Sequence, residues 1–209
     1  MTSENQILNW LMIGISQSPF SLNEVFYLDK SNNEFFSILA TDYFMLDEDL
    51  GIAKNTTTSY SSQNENSIVN RIQRIENDDK EIIEIPRLSY NERKKTLIEF
   101  LDSINDEKEK ERITHLYINI ESETPDVRNL FNRSFEIESD KNTVEKWNTL
   151  KNEILLTKAE SFINLNNINL SNVKIWEIEE KGTINIDLTK DDNGKILKQK
   201  SNKWWKFWK

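Results

Sequence analysis

The chain of 209 residues contains no cysteine. Disulfide frameworks, thiolate nucleophiles, cysteine zinc sites and iron–sulfur ligation are therefore excluded together. Glycine is nearly as scarce: the four, at positions 14, 51, 182 and 194, are each isolated, so neither a phosphate-cradling loop nor a dinucleotide fingerprint can be assembled from them. Histidine occurs once, as His115, about 200° around a helix from Ile113 and so away from the apolar stripe there. No serine or carboxylate spacing gives it the partners that a general base needs, and a surface histidine is expected. No Lys or Arg precedes Lys30, and the apolar run Trp10 to Ile15 is broken by Gly14 and far too short to span a bilayer. Neither a signal peptide nor a transmembrane helix is expected, which leaves the cytoplasm as the expected compartment.

Acidic clusters are present but carry no metal-site pattern. The stretch from Asp29 to Asn33 opens like a calcium loop, yet Glu34 stands where such a loop demands glycine and Ala40 where it demands a bidentate glutamate. Asp47, Glu48 and Asp49, and again Asp191, Asp192 and Asn193, read as solvated turns. No catalytic, cofactor-binding or metal-binding residue is assigned on these grounds, and no cofactor is expected.

What the chain does have is acid. Its net charge is −9, and the last twelve residues, Lys198 to Lys209, hold five Lys and no acid, leaving −14 on the rest. Such a body repels nucleic acid and can attract a basic protein partner. Ten Phe, six Trp and five Tyr supply core-forming side chains at a hydrophobic fraction of 36%.

Along the chain, Ser3 and Gln6 have capping-box spacing ahead of Ile7, Leu8, Leu11, Met12 and Ile15, predicting a helix from Glu4 to Ser16. Two aromatic and β-branched runs, Glu24 to Asp29 and Glu34 to Leu39, predict a hairpin, and Glu81 to Ile85 a strand that could join it as a third. Lys54 to Ser67 reads as a polar loop or insertion, followed by a short amphipathic helix at Ile68 to Ile75. Further helices are expected after Ser89, after Asp106, from Pro125 to about Phe135, and from about Thr143 to Asn164. Alternation from Val173 to Leu197, broken by Gly182 and Asn193-Gly194, predicts a small C-terminal meander. The expected class is α+β, mainly α: a hairpin with a third strand packed on a helical bundle over residues 1–170, a meander over 171–197 and a basic aromatic tail over 198–209.

The hairpin VFYLDKSNNEFFSI, the segment EIIEIPRLSYNERKKTLIEFLDSI, and the later VRNLFNRSF and VEKWNTLKNEILLTKAESFI resemble, over roughly residues 6–167, a bacterial family known as uncharacterised protein family 0158. Two departures stand out. Ser31-Asn32-Asn33 replaces a threonine-glycine turn, and Ile118 to Thr124 lacks the glycine- and arginine-rich character expected there. The family has no established activity, so the resemblance implies a fold and no functional residue.

The segment of most unusual composition is KQKSNKWWKFWK, in which Trp204, Trp205, Phe207 and Trp208 alternate with Lys203, Lys206 and Lys209. Rings interleaved with cations suit docking to a partner's groove or weak contact with a membrane surface. The expected function is a non-catalytic protein-interaction or accessory module with an acidic body and a docking tail. The competing expectation is a carboxylate- and divalent-metal-dependent hydrolase, which requires several acids to converge in space.

Overall fold

The computed structural model describes residues 3–18, 23–47, 49–51, 62–117 and 140–176. Helix α1 (Glu4–Ser16) starts where the spacing predicts: Ser3 Oγ accepts from the Gln6 backbone N–H at 3.3 Å and Gln6 Oε1 accepts from the Ser3 N–H at 2.8 Å. Two otherwise orphaned donors are thereby satisfied. Ile7, Leu11, Gly14 and Ile15 form its buried face.

Strands β1 (Glu24–Asp29) and β2 (Glu34–Leu39) make the expected hairpin, with Glu24 opposite Leu39 and Asp29 opposite Glu34. The turn closes at Asn33, whose φ of 49° lies in the left-handed region, a conformation that asparagine tolerates better than most residues. This explains how the chain dispenses with a glycine there. A 3-10 helix (Ala40–Met45) follows, and then α2 (Ser62–Glu76). The predicted loop thus ends early: Ser62 to Ser67 are helical, because the apolar face of Ile68, Val69 and Ile72 finds a sheet to cover and draws the polar turn before it into the helix.

Strand β3 (Ile82–Glu84) pairs antiparallel with β1, confirming the third strand at three residues. Helix α3 (Tyr90–Asp102) opens with a capping box of Ser89 and Glu92, and α4 (Glu107–Tyr117) with Asp106, whose carboxylate accepts from the backbone N–H groups of Lys108 and Glu109. Helix α5 (Lys141–Leu165) is capped by Asp140 and turns Trp147, Lys151, Leu155, Ala159, Phe162 and Ile163 inward. Strand β4 (Lys174–Ile175) pairs parallel with β2 and completes a sheet of order β3-β1-β2-β4. The first strand of the expected meander is therefore a member of the main sheet, with Val173, Ile175 and Trp176 all buried. The expected helix at 125–135 and the meander beyond Trp176 lie outside the described residues. The class is α+β, mainly α.

Side-chain alternation along the strands divides the core in two. Phe26, Leu28, Phe35 and Ile175 face Ile7, Leu11 and Ile15 of α1, Leu97 and Phe100 of α3, Ile113 of α4, and Trp147 and Leu155 of α5. Tyr27, Phe36, Ile38 and Trp176 face the other way, onto Ile68, Val69 and Ile72 of α2. The sheet is thus a middle layer between a helical bundle and α2.

Where α1 crosses β1 the packing leaves no room for a side chain at Gly14. A Cβ there would lie 2.7 Å from Phe26 Cγ. Gly14→Ala should lower stability by about 1–3 kcal/mol, the range for forced overpacking, despite alanine's better helix propensity. Urea denaturation checks this, and a stabilised variant would show that α1 and β1 are not in such close contact.

The end of α1 is held from a distance. Arg93, buried on α3, donates to the carbonyls of Ser16 (2.7 Å), Gln17 (2.5 Å) and Leu88 (3.0 Å), while Arg87 donates to Ser18 and Glu24. Burial and the nearby Arg87 push the Arg93 guanidinium down to about 10, so it remains charged at neutral pH and caps the negative end of the helix.

Candidate functional site

The densest concentration of buried charge lies between the sheet and α2. The hairpin register sets Asp29 directly opposite Glu34, and alternation with Leu28 and Phe35 sends both carboxylates to the α2 side. They are only 1% and 2% exposed. Two like charges so placed destabilise a hairpin unless something neutralises them. Helix α2 does so with Arg71 and Arg74, which share one face by their three-residue spacing. Arg71 Nη2 donates to Glu34 Oε1, and Lys174 Nζ of β4 lies 3.0 Å from Glu34 Oε2. Arg74 reaches Asp29 through both Nη atoms, with Nη2 at 3.2 Å from Oδ1, and its Nε donates to Asp79 Oδ2 at 2.7 Å. Three acids meet three bases.

Above Glu34 the Arg71 guanidinium is flanked by two rings, 4.3 Å from the Trp176 centroid and 5.2 Å from that of Phe36. Cation–π attraction gains strength in so dry a setting. Arg71 Nε has no hydrogen-bond partner among the described residues, as suits a group whose surroundings are aromatic faces.

At the turn, Ser31 Oγ donates to Asp29 Oδ1 at 2.6 Å and accepts from Arg74 Nη2 at 3.1 Å, and Asn32 Nδ2 donates to Asp29 Oδ2 at 2.7 Å. The stretch that opens like a calcium loop thus spends its first carboxylate inside the protein. Burial alone would raise the Asp29 carboxyl, but hydrogen bonds from Arg74, Ser31 and Asn32 outweigh it and hold the group below its usual range. A depressed carboxyl contributes stability that is complete above the ordinary carboxylate pKa and is lost as pH falls through the folded value. Acid titration followed by circular dichroism should therefore show unfolding starting below about pH 4, with Asp29→Asn flattening that dependence; identical profiles for the two proteins would refute it.

This cluster is chemically closed. The buried carboxylates of Asp29 and Glu34 are engaged by cations, the Ser31 hydroxyl gives its proton to the Asp29 carboxylate, and the Ser67 hydroxyl accepts from Arg71 Nη1, so the arrangement fastens α2 and β4 to the sheet.

The rim beside it is open. Glu76 at the end of α2, Asp78, and Glu81 and Glu84 around β3 are exposed. Tyr43 donates its hydroxyl to Glu76 Oε1 at 3.2 Å, and its neighbour Phe44 is 76% exposed. Tyr27 stands opposite Glu84 in the β1–β3 register. Burial raises the Tyr27 phenol well above its ordinary value, reinforced by Tyr43, Glu84 and Glu76 and opposed by Arg87.

Of the residues singled out from sequence, Trp204, Trp205, Phe207, Trp208, Lys203, Lys206 and Lys209 lie outside the described residues, as do Asp191, Asp192, Asn193, Glu48 and the His115 side chain. Asp47 forms a turn, accepting from the backbone N–H groups of Asp49 (3.1 Å) and Gly51 (2.7 Å). Sequence reasoning missed Arg71, Arg74 and Trp176. A signal existed for the arginines, since a four-residue hairpin turn opposes Asp29 to Glu34 and that opposition calls for a paired cation. Trp176 gave none, because its partners are remote in sequence.

Among the described residues no group of three or more His, Asp or Glu side chains could hold a metal ion, and no helix is long and apolar enough to cross a membrane. No family model, curated protein or solved structure matches the chain, so the resemblance to uncharacterised protein family 0158 rests on the quoted motifs alone.

Proposed function

We propose that the protein is a non-catalytic interaction module whose acidic body receives a basic protein partner. The observation that carries this reading is where the charge goes. Asp29 and Glu34 are neutralised inside by Arg74, Arg71 and Lys174, whereas Glu76, Asp78, Glu81 and Glu84 beside them stand exposed. Rim carboxylates accelerate and orient association with a cation-bearing surface more than they add affinity, and salt weakens their effect.

Affinity capture from native lysate at low and high salt, with the full chain beside a chain ending at Leu197, tests the reading. A stoichiometric basic partner held at low salt, released at high salt and retained by the shorter chain would support it. A partner indifferent to salt would overturn it, and one lost with the tail would move binding to Trp204, Trp205, Phe207 and Trp208.

A further inference from the structure

We propose that the outer edge of β3 is a docking site for an extended lysine- or arginine-bearing segment of a partner protein, which adds to the sheet as a further strand. The inference rests on the acidic-body reading and gives it a location. Lys30 donates to Glu81 O at 2.9 Å and Ile85 to Phe26 O at 2.8 Å. Glu81, Ile83 and Ile85 therefore turn their backbone groups toward β1, and by alternation Ile82 and Glu84 turn theirs outward. The Ile82 N–H is spent on Asp79 O at 3.0 Å. The Ile82 carbonyl and the Glu84 N–H and carbonyl point to a side on which no strand lies among the described residues.

The side chains suit the same occupant. Ile82 and Ile83 are half-buried, one on each face of the sheet, so a strand alongside would cover apolar surface on both. Glu76, Asp78, Glu81 and Glu84 are exposed around them, and the exposed cations nearby in sequence or register are Lys80 and Lys30. Edge strands are commonly guarded by charge against unwanted pairing. A guard made of carboxylates is selective: it repels acidic strands, gives apolar ones nothing, and attracts one whose alternate residues are cations. Pro86, the next residue after Glu84 to face outward by alternation, has no N–H to donate, which confines the pairing to β3 and makes the interaction weak and reversible.

The test uses the full chain and a fluorescein-labelled peptide of alternating lysine and valine, six residues long, with a glutamate-valine counterpart as control, in fluorescence anisotropy at low salt. The lysine peptide should bind and the glutamate peptide should not. Glu81→Lys with Glu84→Lys should weaken binding at least tenfold, whereas Glu153→Lys with Glu160→Lys, an equal charge change on the exposed face of α5, should weaken it less than twofold. The milder pair Glu81→Gln and Glu84→Gln, expected to lose at least threefold, serves if the reversal disturbs folding. Bound peptide should also slow exchange of the Glu84 amide hydrogen about tenfold. Equal weakening by both lysine pairs would overturn the edge site while leaving the acidic-body reading intact. A Glu84 amide already protected in the free protein would overturn it as well, because the edge would then be covered by the chain itself or by a second copy. Absence of lysine-peptide binding overturns the edge site alone, since salt-sensitive capture judges the parent reading separately.

Discussion

Replacing Trp176 by alanine should cost about 3–5 kcal/mol of stability, the usual range for truncating a fully buried tryptophan. Trp176 is 0% exposed and packs with Phe36, Ile38 and Ile68, and its ring faces the Arg71 guanidinium at 4.3 Å. The loss has two parts. A cavity opens between sheet and α2, and Arg71 loses one of the two rings that shield it. Strand β4 has only two residues and is held by its two parallel register pairs with β2, the Lys174 N–H donating to Asn33 O at 3.1 Å, and the Lys174–Glu34 contact, so the chain around Lys174 should detach with the ring. Trp176→Phe, which keeps an aromatic face, should lose less than half as much. Urea denaturation measures both, and hydrogen exchange at Ile175 reports whether β4 stays paired. A loss below about 1 kcal/mol for the alanine variant, typical of surface positions, would show that the ring is not part of the core.

The second large effect concerns Glu34. Glu34→Ala removes the carboxylate that Arg71 and Lys174 share, leaving a guanidinium whose side chain is only 11% exposed without its counter-ion. Breaking a buried pair from one side costs about 3–5 kcal/mol, since the abandoned charge must be hydrated or displaced. Glu34→Leu combined with Arg71→Met tests the reason. If the penalty arises from the unpaired charge, the double variant should recover most of the stability, because methionine can still pack against Phe36 and Trp176. Losses that simply add would mean that the two residues act independently and that the network is incidental.

The two variants probe the part of the molecule that was least legible beforehand. Helix α1, the hairpin and the caps of α3 and α4 were readable because each depends on residues within a few positions of one another: Ser3 with Gln6, Ser89 with Glu92, and Asp106 with the amides that follow, whereas α5 starts at Lys141 on a cap from Asp140, ahead of the expected Thr143. The helical start at Ser62 was not readable, since SSQNENS has no apolar stripe of its own and is helical by extension from Ile68 onward. Nor was the fate of Lys151, a cation in the buried stripe of α5 between Trp147 and Leu155. The candidate site was legible in its ingredients alone, as Glu81 and Glu84 lay in a recognised strand whose place at the end of the sheet could not be known.

Composition and local pattern settled the class, the bounds of α1 and of the two hairpin strands, and the reactions that a chain without cysteine or clustered glycine cannot perform, because those depend on residue type and on spacings of two to four positions. Tertiary structure decided that Lys174 and Ile175 belong to the main sheet with Val173 and Trp176 buried beside them, that Asp29 and Glu34 are buried against Arg74 and Arg71, and that β3 stands at an edge beside exposed carboxylates. Those outcomes follow from burying both faces of a sheet at once, which brings Trp176 against Arg71 although about a hundred residues of chain separate them, and no short-range pattern encodes such a meeting.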